Sequence, residues 1–144
     1  MKYDFYLASP FFNDEQRKRE RKICTTLRTF GYSVFAPFEN GVLNAEATEE
    51  DRNKIFVENV ENIKNSNRII AITDGKDIGT IWEAGYGYGI GKEIIYYAET
   101  LGDNPFIVML GKSAIGIFTD YDKFMLACGS NNFNNKEYEG IRTQ

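Results

Sequence analysis

The stretch Arg68-Ile69-Ile70-Ala71-Ile72-Thr73, followed at once by Asp74-Gly75-Lys76-Asp77, decides the fold. Its central residues are all apolar, so a strand built from them has no wet face. Such strands belong to parallel sheets covered on both sides. The Asp-Gly turn stops the strand, and a helix is predicted from near Thr80 to Gly91. Upstream, a helix over residues 49–65 turns Ile55, Phe56, Val60 and Ile63 inward. Before it come a strand over 32–36, closed by Pro37, and a loop over 38–48 that is long enough to suggest a function. A helix over 14–29 is capped by Asn13, carries Ile23, Leu27 and Phe30 as its apolar stripe, and ends at Gly31. The opening strand, residues 2–8, alternates and is stopped by Ser9-Pro10. Downstream are a strand over 93–98, a loop over 99–105, a short helix at 106–110, a strand at 115–118 and a helix capped by Asp120 or Asp122 that runs through Cys128. This alternation predicts a flavodoxin-like three-layer α/β/α fold with a five-stranded parallel sheet, contained in residues 1–128. Residues 129–144, polar and Asn-rich, read as a tail, frayed or docked on a neighbouring subunit. Ligands are expected beyond the carboxyl ends of the strands.

Composition narrows the chemistry. The 144 residues carry 17 Lys+Arg against 21 Asp+Glu, a net charge of −4, which argues against a partner among nucleic acids. Hydrophobic residues at 42% suffice for one packed core and are too many for a disordered chain. There is no His, so Ser–His and Cys–His nucleophile pairs and His-ligated metals are excluded. The two cysteines, Cys24 and Cys128, can form neither a four-cysteine zinc site nor a disulfide scaffold and read as small core residues. No apolar run reaches membrane-spanning length, and residues 1–8 read as a strand rather than a signal peptide. A cytoplasmic domain without membrane contact is expected, with acid–base chemistry resting on carboxylates, Tyr or Lys.

The Gly-rich stretch from Gly79 to Lys92 fails as a phosphate loop. A Walker A motif ending in Gly91-Lys92 needs Gly where Tyr86 stands and Ser or Thr where Glu93 stands, and no window fits G-x-G-x-x-G. Gly85, Gly87, Gly89 and Gly91 each weaken a helix by roughly 0.8–1.0 kcal/mol relative to Ala, so close packing against the sheet, a subunit or a ligand must compensate. Glu83 is expected in the first helical turn, where the macrodipole keeps a carboxylate ionised. That position alone fits an ordinary helix-start Glu. With Asp74 and Asp77 just ahead of it, three carboxylates gather at one strand–helix turn, and their mutual repulsion should raise at least one pKa. One ionised and one protonatable carboxyl are what glycosidic-bond chemistry requires. Tyr6 ends the central strand beside them, either as core or as a site residue. Phe11 and Phe12 follow it, as a lid on the core or as a platform for a flat base. Asn59, among charged neighbours, reads as a solvated helix residue.

The motifs Tyr6-Leu7-Ala8-Ser9-Pro10-Phe11-Phe12 and Asp77-x-Gly79-Thr80-x-Trp82-Glu83-x-Gly85-Tyr86, with Ile55-Phe56-x-x-Asn59 between them, resemble the nucleoside 2-deoxyribosyltransferases over residues 3–128. The resemblance implies cleavage of the N-glycosidic bond of a 2′-deoxynucleoside and transfer of the sugar to another purine or pyrimidine base. It implies Glu83 as nucleophile, Asp77 as the acid that protonates the base and Tyr6 as the residue that orients the nucleophile. Phe11 and Phe12 match aromatics near the base, and Asn59 falls where many members carry Asp. Met109 matches a residue contributed by a neighbouring subunit to hold the sugar, while Ile107 stands where the family commonly has Asn. A homodimer, or a hexamer of dimers, with a partner-supplied site residue is implied, and no metal or cofactor. The related deoxynucleotide hydrolases carry a phosphate pocket of Gly, Arg and Ser. Here those positions hold Pro10-Phe11-Phe12 and Lys76-Asp77-Ile78, which favours an uncharged nucleoside. An N-glycosidase and a non-catalytic nucleoside-binding protein are the alternatives.

Overall fold

The computed structural model describes residues 2–100 and 108–135. Among them, strands and helices alternate as β1 (Tyr3–Ala8), α1 (Asp14–Thr29), β2 (Val34–Phe35), α2 (Glu49–Lys64), β3 (Ser66–Ile72), α3 (Ile78–Gly89), β4 (Glu93–Tyr97), α4 (Val108–Ser113), β5 (Ala114–Phe118) and α5 (Tyr121–Ser130). The sheet order is β2-β1-β3-β4-β5, and every pairing is parallel. This is the doubly wound order expected from the sequence. No helix among the described residues is long and apolar enough to cross a membrane.

Alternation along the strands divides the core in two. Phe5, Leu7, Ile70, Ile72, Ile95 and Tyr97 face α1 and α5, with Ile23, Leu27, Phe124 and Cys128 packed on them. Tyr6, Ala8, Ile69, Ala71, Ile94 and Tyr96 face α2 and α3 and meet Ile63 and Ala84. Both layers need apolar side chains from β3, which is why its sequence shows no alternation. Both cysteines are free and buried. Helix starts follow their caps: the side chain of Asn13 accepts from Gln16 N, Thr48 and Asp51 form a reciprocal capping box, and Asp120 accepts from Asp122 N and Lys123 N.

Four expectations need correction. Phe30 lies beyond the end of α1 and is 45% exposed, so the stripe there is Ile23, Cys24 and Leu27. On α2 only Ile63 is buried, and Phe56 is 57% exposed, because that helix borders an open cavity along part of its inner face. The loop after β2 opens with a 3₁₀ turn, Pro37–Asn40, whose Glu39 accepts hydrogen bonds from Arg28 at 2.6 Å and Arg21 at 3.0 Å. Finally, the chain does not become a tail at residue 129. α5 continues to Ser130, Asn131 turns it in a left-handed conformation, and Phe133 is buried against Phe5, Phe118 and Phe124. Ile117 N then donates to Asn135 O at 2.9 Å. Phe133 thus anchors the described residues that follow α5.

The glycines of α3 divide by environment. A Cβ on Gly87 would overlap the Cδ1 methyl of Ile69 of β3, which would have to shift, so the helix lies close to the sheet at this point. Gly85 and Gly89 have nothing within 4 Å of a Cβ position.

Candidate active site

The site forms where the carboxyl ends of β1 and β3 meet α2 and α3. The period-two geometry of β1 turns Tyr6 to the α2/α3 side, fully buried, with its ring stacked on Phe35 at 5.5 Å and 24°. Its hydroxyl donates to Glu83 Oε2. Tyr6 is therefore a core residue whose hydroxyl also contacts Glu83.

Glu83 lies in the second turn of α3, because the helix begins at Ile78 rather than near Thr80. The macrodipole falls off within the first turn, so the expected ionising influence is weak at this depth. Burial dominates and pushes the Glu83 carboxyl up from 4.5 to about 8. No neighbouring acid contributes to that rise, contrary to the expected repulsion among three carboxylates. The cluster is in fact split. Asp74 turns to the α1 side of the sheet and binds the backbone of Glu99 and Thr100. Asp77 caps α3, its Oδ2 accepting from Thr80 N and Thr80 Oγ1, both at 2.9 Å. The turn that delivers it contains two left-handed residues, Gly75 with φ 77° and Lys76 with φ 52°.

Glu83 lines a cavity of about 420 Å³ between α2 and α3, together with Ile55, Phe56, Asn59, Ile63 and Trp82. Asn59, read from sequence as solvated, thus shares a wall with Glu83. Aromatic surface dominates one rim: Trp82 stacks on Tyr86 at 5.5 Å and 2°, and meets Phe56 at 5.9 Å. A second cavity, about 340 Å³, adjoins at Ile55 and is bordered by Asn40, Asp51, Lys54 and Glu58. Phe56, expected in the core, instead lines the cavity, and Trp82, to which the sequence assigns no role, lines it too. The signal for Trp82 was its position next to Glu83 on an otherwise glycine-rich helix.

Asp77, at the head of α3, does not line the Glu83 cavity, and the remaining predicted residues also lie elsewhere. Phe11 packs edge-on against Phe38 at 5.3 Å and beside Phe12, which is 72% exposed, and neither lines the Glu83 cavity. Met109 sits on α4, 70% exposed and also apart from that lining. Ile107 lies outside the described residues. The arrangement offers one carboxyl with a raised pKa, a hydroxyl donor directed at it, and an aromatic-walled cavity alongside.

The nucleoside 2-deoxyribosyltransferase family model matches residues 5–136. A solved 2-deoxyribosyltransferase from the psychrotolerant bacterium Bacillus psychrosaccharolyticus is 35% identical, with a TM-score of 0.77 over 84% of this chain and 89% of that one. A CMP N-glycosidase from Clostridium botulinum is 19% identical, with a TM-score of 0.58 over 88% of this chain and 98% of that one. A conserved protein from Enterococcus faecalis V583 is 17% identical, with a TM-score of 0.60 over 100% and 91%. The last two likenesses concern the fold alone. No curated protein sequence matches the chain. A family match across nearly the whole described chain, together with a deoxyribosyltransferase structure at 35% identity, places the chain in the nucleoside 2-deoxyribosyltransferase family.

Proposed function

We propose that this protein is a nucleoside 2-deoxyribosyltransferase acting by double displacement. The Glu83 carboxylate attacks the anomeric carbon of a 2′-deoxynucleoside as the bond to the base breaks, through an oxocarbenium-like transition state. The deoxyribosyl group is held as an ester on Glu83 until an incoming base displaces the carboxylate. Asp77 gives a proton to the departing base and takes one from the incoming base. Oδ2 of Asp77 is occupied by the α3 cap, so Oδ1 is the atom for this exchange. The Tyr6 hydroxyl orients Glu83 and supports its anionic form when it leaves the sugar. Asn59 contacts substrate from the opposite wall, and Trp82 with Phe56 offers the flat surface for a base. Phe11 and Phe12 stand near the base, and Met109 joins the site from a neighbouring subunit in an assembly that the exposed apolar residues on α3, Ile78 at 84%, Trp82 at 50% and Tyr88 at 57%, favour. The protein works in the cytoplasm in nucleoside salvage, without metal or cofactor.

The observation that carries this reading is a half-buried carboxyl in a cavity wall, held by a tyrosine hydroxyl. The test incubates the protein with thymidine and adenine, beside a control with water as the sole acceptor, and resolves products by chromatography. Deoxyadenosine is the expected product, with slow release of free deoxyribose in the control. Equal sugar release with and without adenine identifies a glycosidase instead. Wild-type transfer by Glu83→Ala overturns the nucleophile assignment.

A further inference from the structure

The geometry points to Asp74 as a positioning residue that fixes Asp77 from the opposite face of the sheet. The Asp74 side chain is 2% exposed. Its Oδ2 accepts from Thr100 N and Thr100 Oγ1, both at 2.6 Å, and from Glu99 N at 2.9 Å. Its Oδ1 lies 3.6 Å from Arg19 Nε of α1, and Arg19 in turn reaches Glu99 at 3.2 Å and Glu15 at 2.9 Å. One carboxylate thereby ties three segments together: the turn after β3, the chain leaving β4, and α1.

Such a clasp exceeds what a turn needs for its own closure, since Lys76 N already bonds Thr73 O at 2.9 Å. The need arises at the next two positions of the chain. Lys76 is a non-glycine residue in the left-handed region, directly after left-handed Gly75. Conformations of this kind persist only when their surroundings over-determine them. Asp77 is the next residue, and its direction is set by this turn at one end and by the Thr80 cap at the other. Asp74 anchors the turn to β4 and α1, so the turn cannot relax without breaking buried, charge-assisted hydrogen bonds. Two acids three residues apart thus act from opposite sides, one facing α1 as an anchor and one at the head of α3.

The functional consequence rests on the reading of Asp77 as the proton donor, where small displacements are costly. Asp74→Asn keeps the size of the side chain but loses the charge that faces Arg19 and one of its two acceptor oxygens. The expected result is a kcat for thymidine–adenine transfer lowered roughly 10- to 100-fold, with KM held within about threefold. Hydrogen exchange at the amides of Thr80, Glu99 and Thr100 should quicken about tenfold while β1 and β3 amides keep their protection. Thr100→Val, which removes only one of the bonds, should lower kcat by a smaller factor and serves if Asp74→Asn does not fold. Glu15→Gln, on the exposed arm of the same network, should leave kcat unchanged. Unchanged kcat together with unchanged Thr80 exchange overturns the proposal, as does a uniform rise in exchange throughout the protein. The exchange measurement needs no turnover. An inactive wild type would therefore refute the transferase reading while leaving the role of Asp74 decided by the amides.

Discussion

Glu83→Gln preserves the size of the side chain and an acceptor for the Tyr6 hydroxyl while removing the titrating proton. In the wild type, burial holds this carboxyl at about 8 against an ordinary 4.5. Below 4.5 the folded and unfolded chains are both protonated at this position, and its burial carries no ionisation penalty. Between the two values the unfolded chain gives up its proton and the folded chain retains it, so stability falls as pH rises. At about 1.4 kcal/mol per tenfold change in proton affinity, the ceiling on the loss is about 5 kcal/mol, complete above the higher value. Glu83 borders an open cavity, so water screens part of this, and about 2–3 kcal/mol is the expected loss. Urea unfolding of both proteins across roughly pH 5 to 8.5 measures it through the linear extrapolation. The stability of Glu83→Gln relative to wild type should grow by that amount as pH increases. A difference that stays flat across the range would mean that the carboxyl is already ionised in the folded protein, and the desolvation argument would be wrong. If the transferase reading holds, kcat/KM should rise toward alkaline pH as the free protein ionises at Glu83.

Tyr6→Phe removes the donor to Glu83 and leaves the ring stacked on Phe35. Transfer should slow by roughly 100-fold with little change in melting temperature, and an unchanged kcat would deny the hydroxyl any part in the reaction. Gly116→Ala places a methyl group against the Phe133 carbonyl oxygen, a backbone atom that cannot swing aside, and should cost about 2–3 kcal/mol in calorimetric stability. Gly85→Ala meets nothing and should add up to about 1 kcal/mol. A loss at Gly85 instead would reveal that another subunit packs there.

The sheet was legible because β3 must serve two layers at once: a run such as Ile69-Ile70-Ala71-Ile72 has few other homes. Caps at Asn13 and Asp120 were legible for the same kind of reason, since a helix start has few ways to satisfy its free N–H groups. Glu83 and Tyr6 could be paired through their motifs, but the protonation state of Glu83 could not. It follows from a two-residue difference in where α3 begins and from the wall that α2 provides. Asp74 illustrates a second limit. Close to Asp77 in sequence, it was grouped with the site, whereas its partners Glu99 and Thr100 lie 25 and 26 residues away and draw it to the other face. Helical periodicity located the inner side of α2 correctly yet could not tell core from cavity rim, so Phe56 was misplaced. Phe133 was hidden by the asparagines around it.

Phe133 also bears on the open border of the sheet. β5 is the outermost strand on its side, and strands in that position invite pairing with foreign chains. Here the backbone returning past Phe133 takes up the amide of Ile117, sealing part of the border from within the same molecule. A shortened version stopping at Cys128 would lose that seal together with a ring from the aromatic cluster, and would be prone to self-association for reasons unrelated to its chemistry.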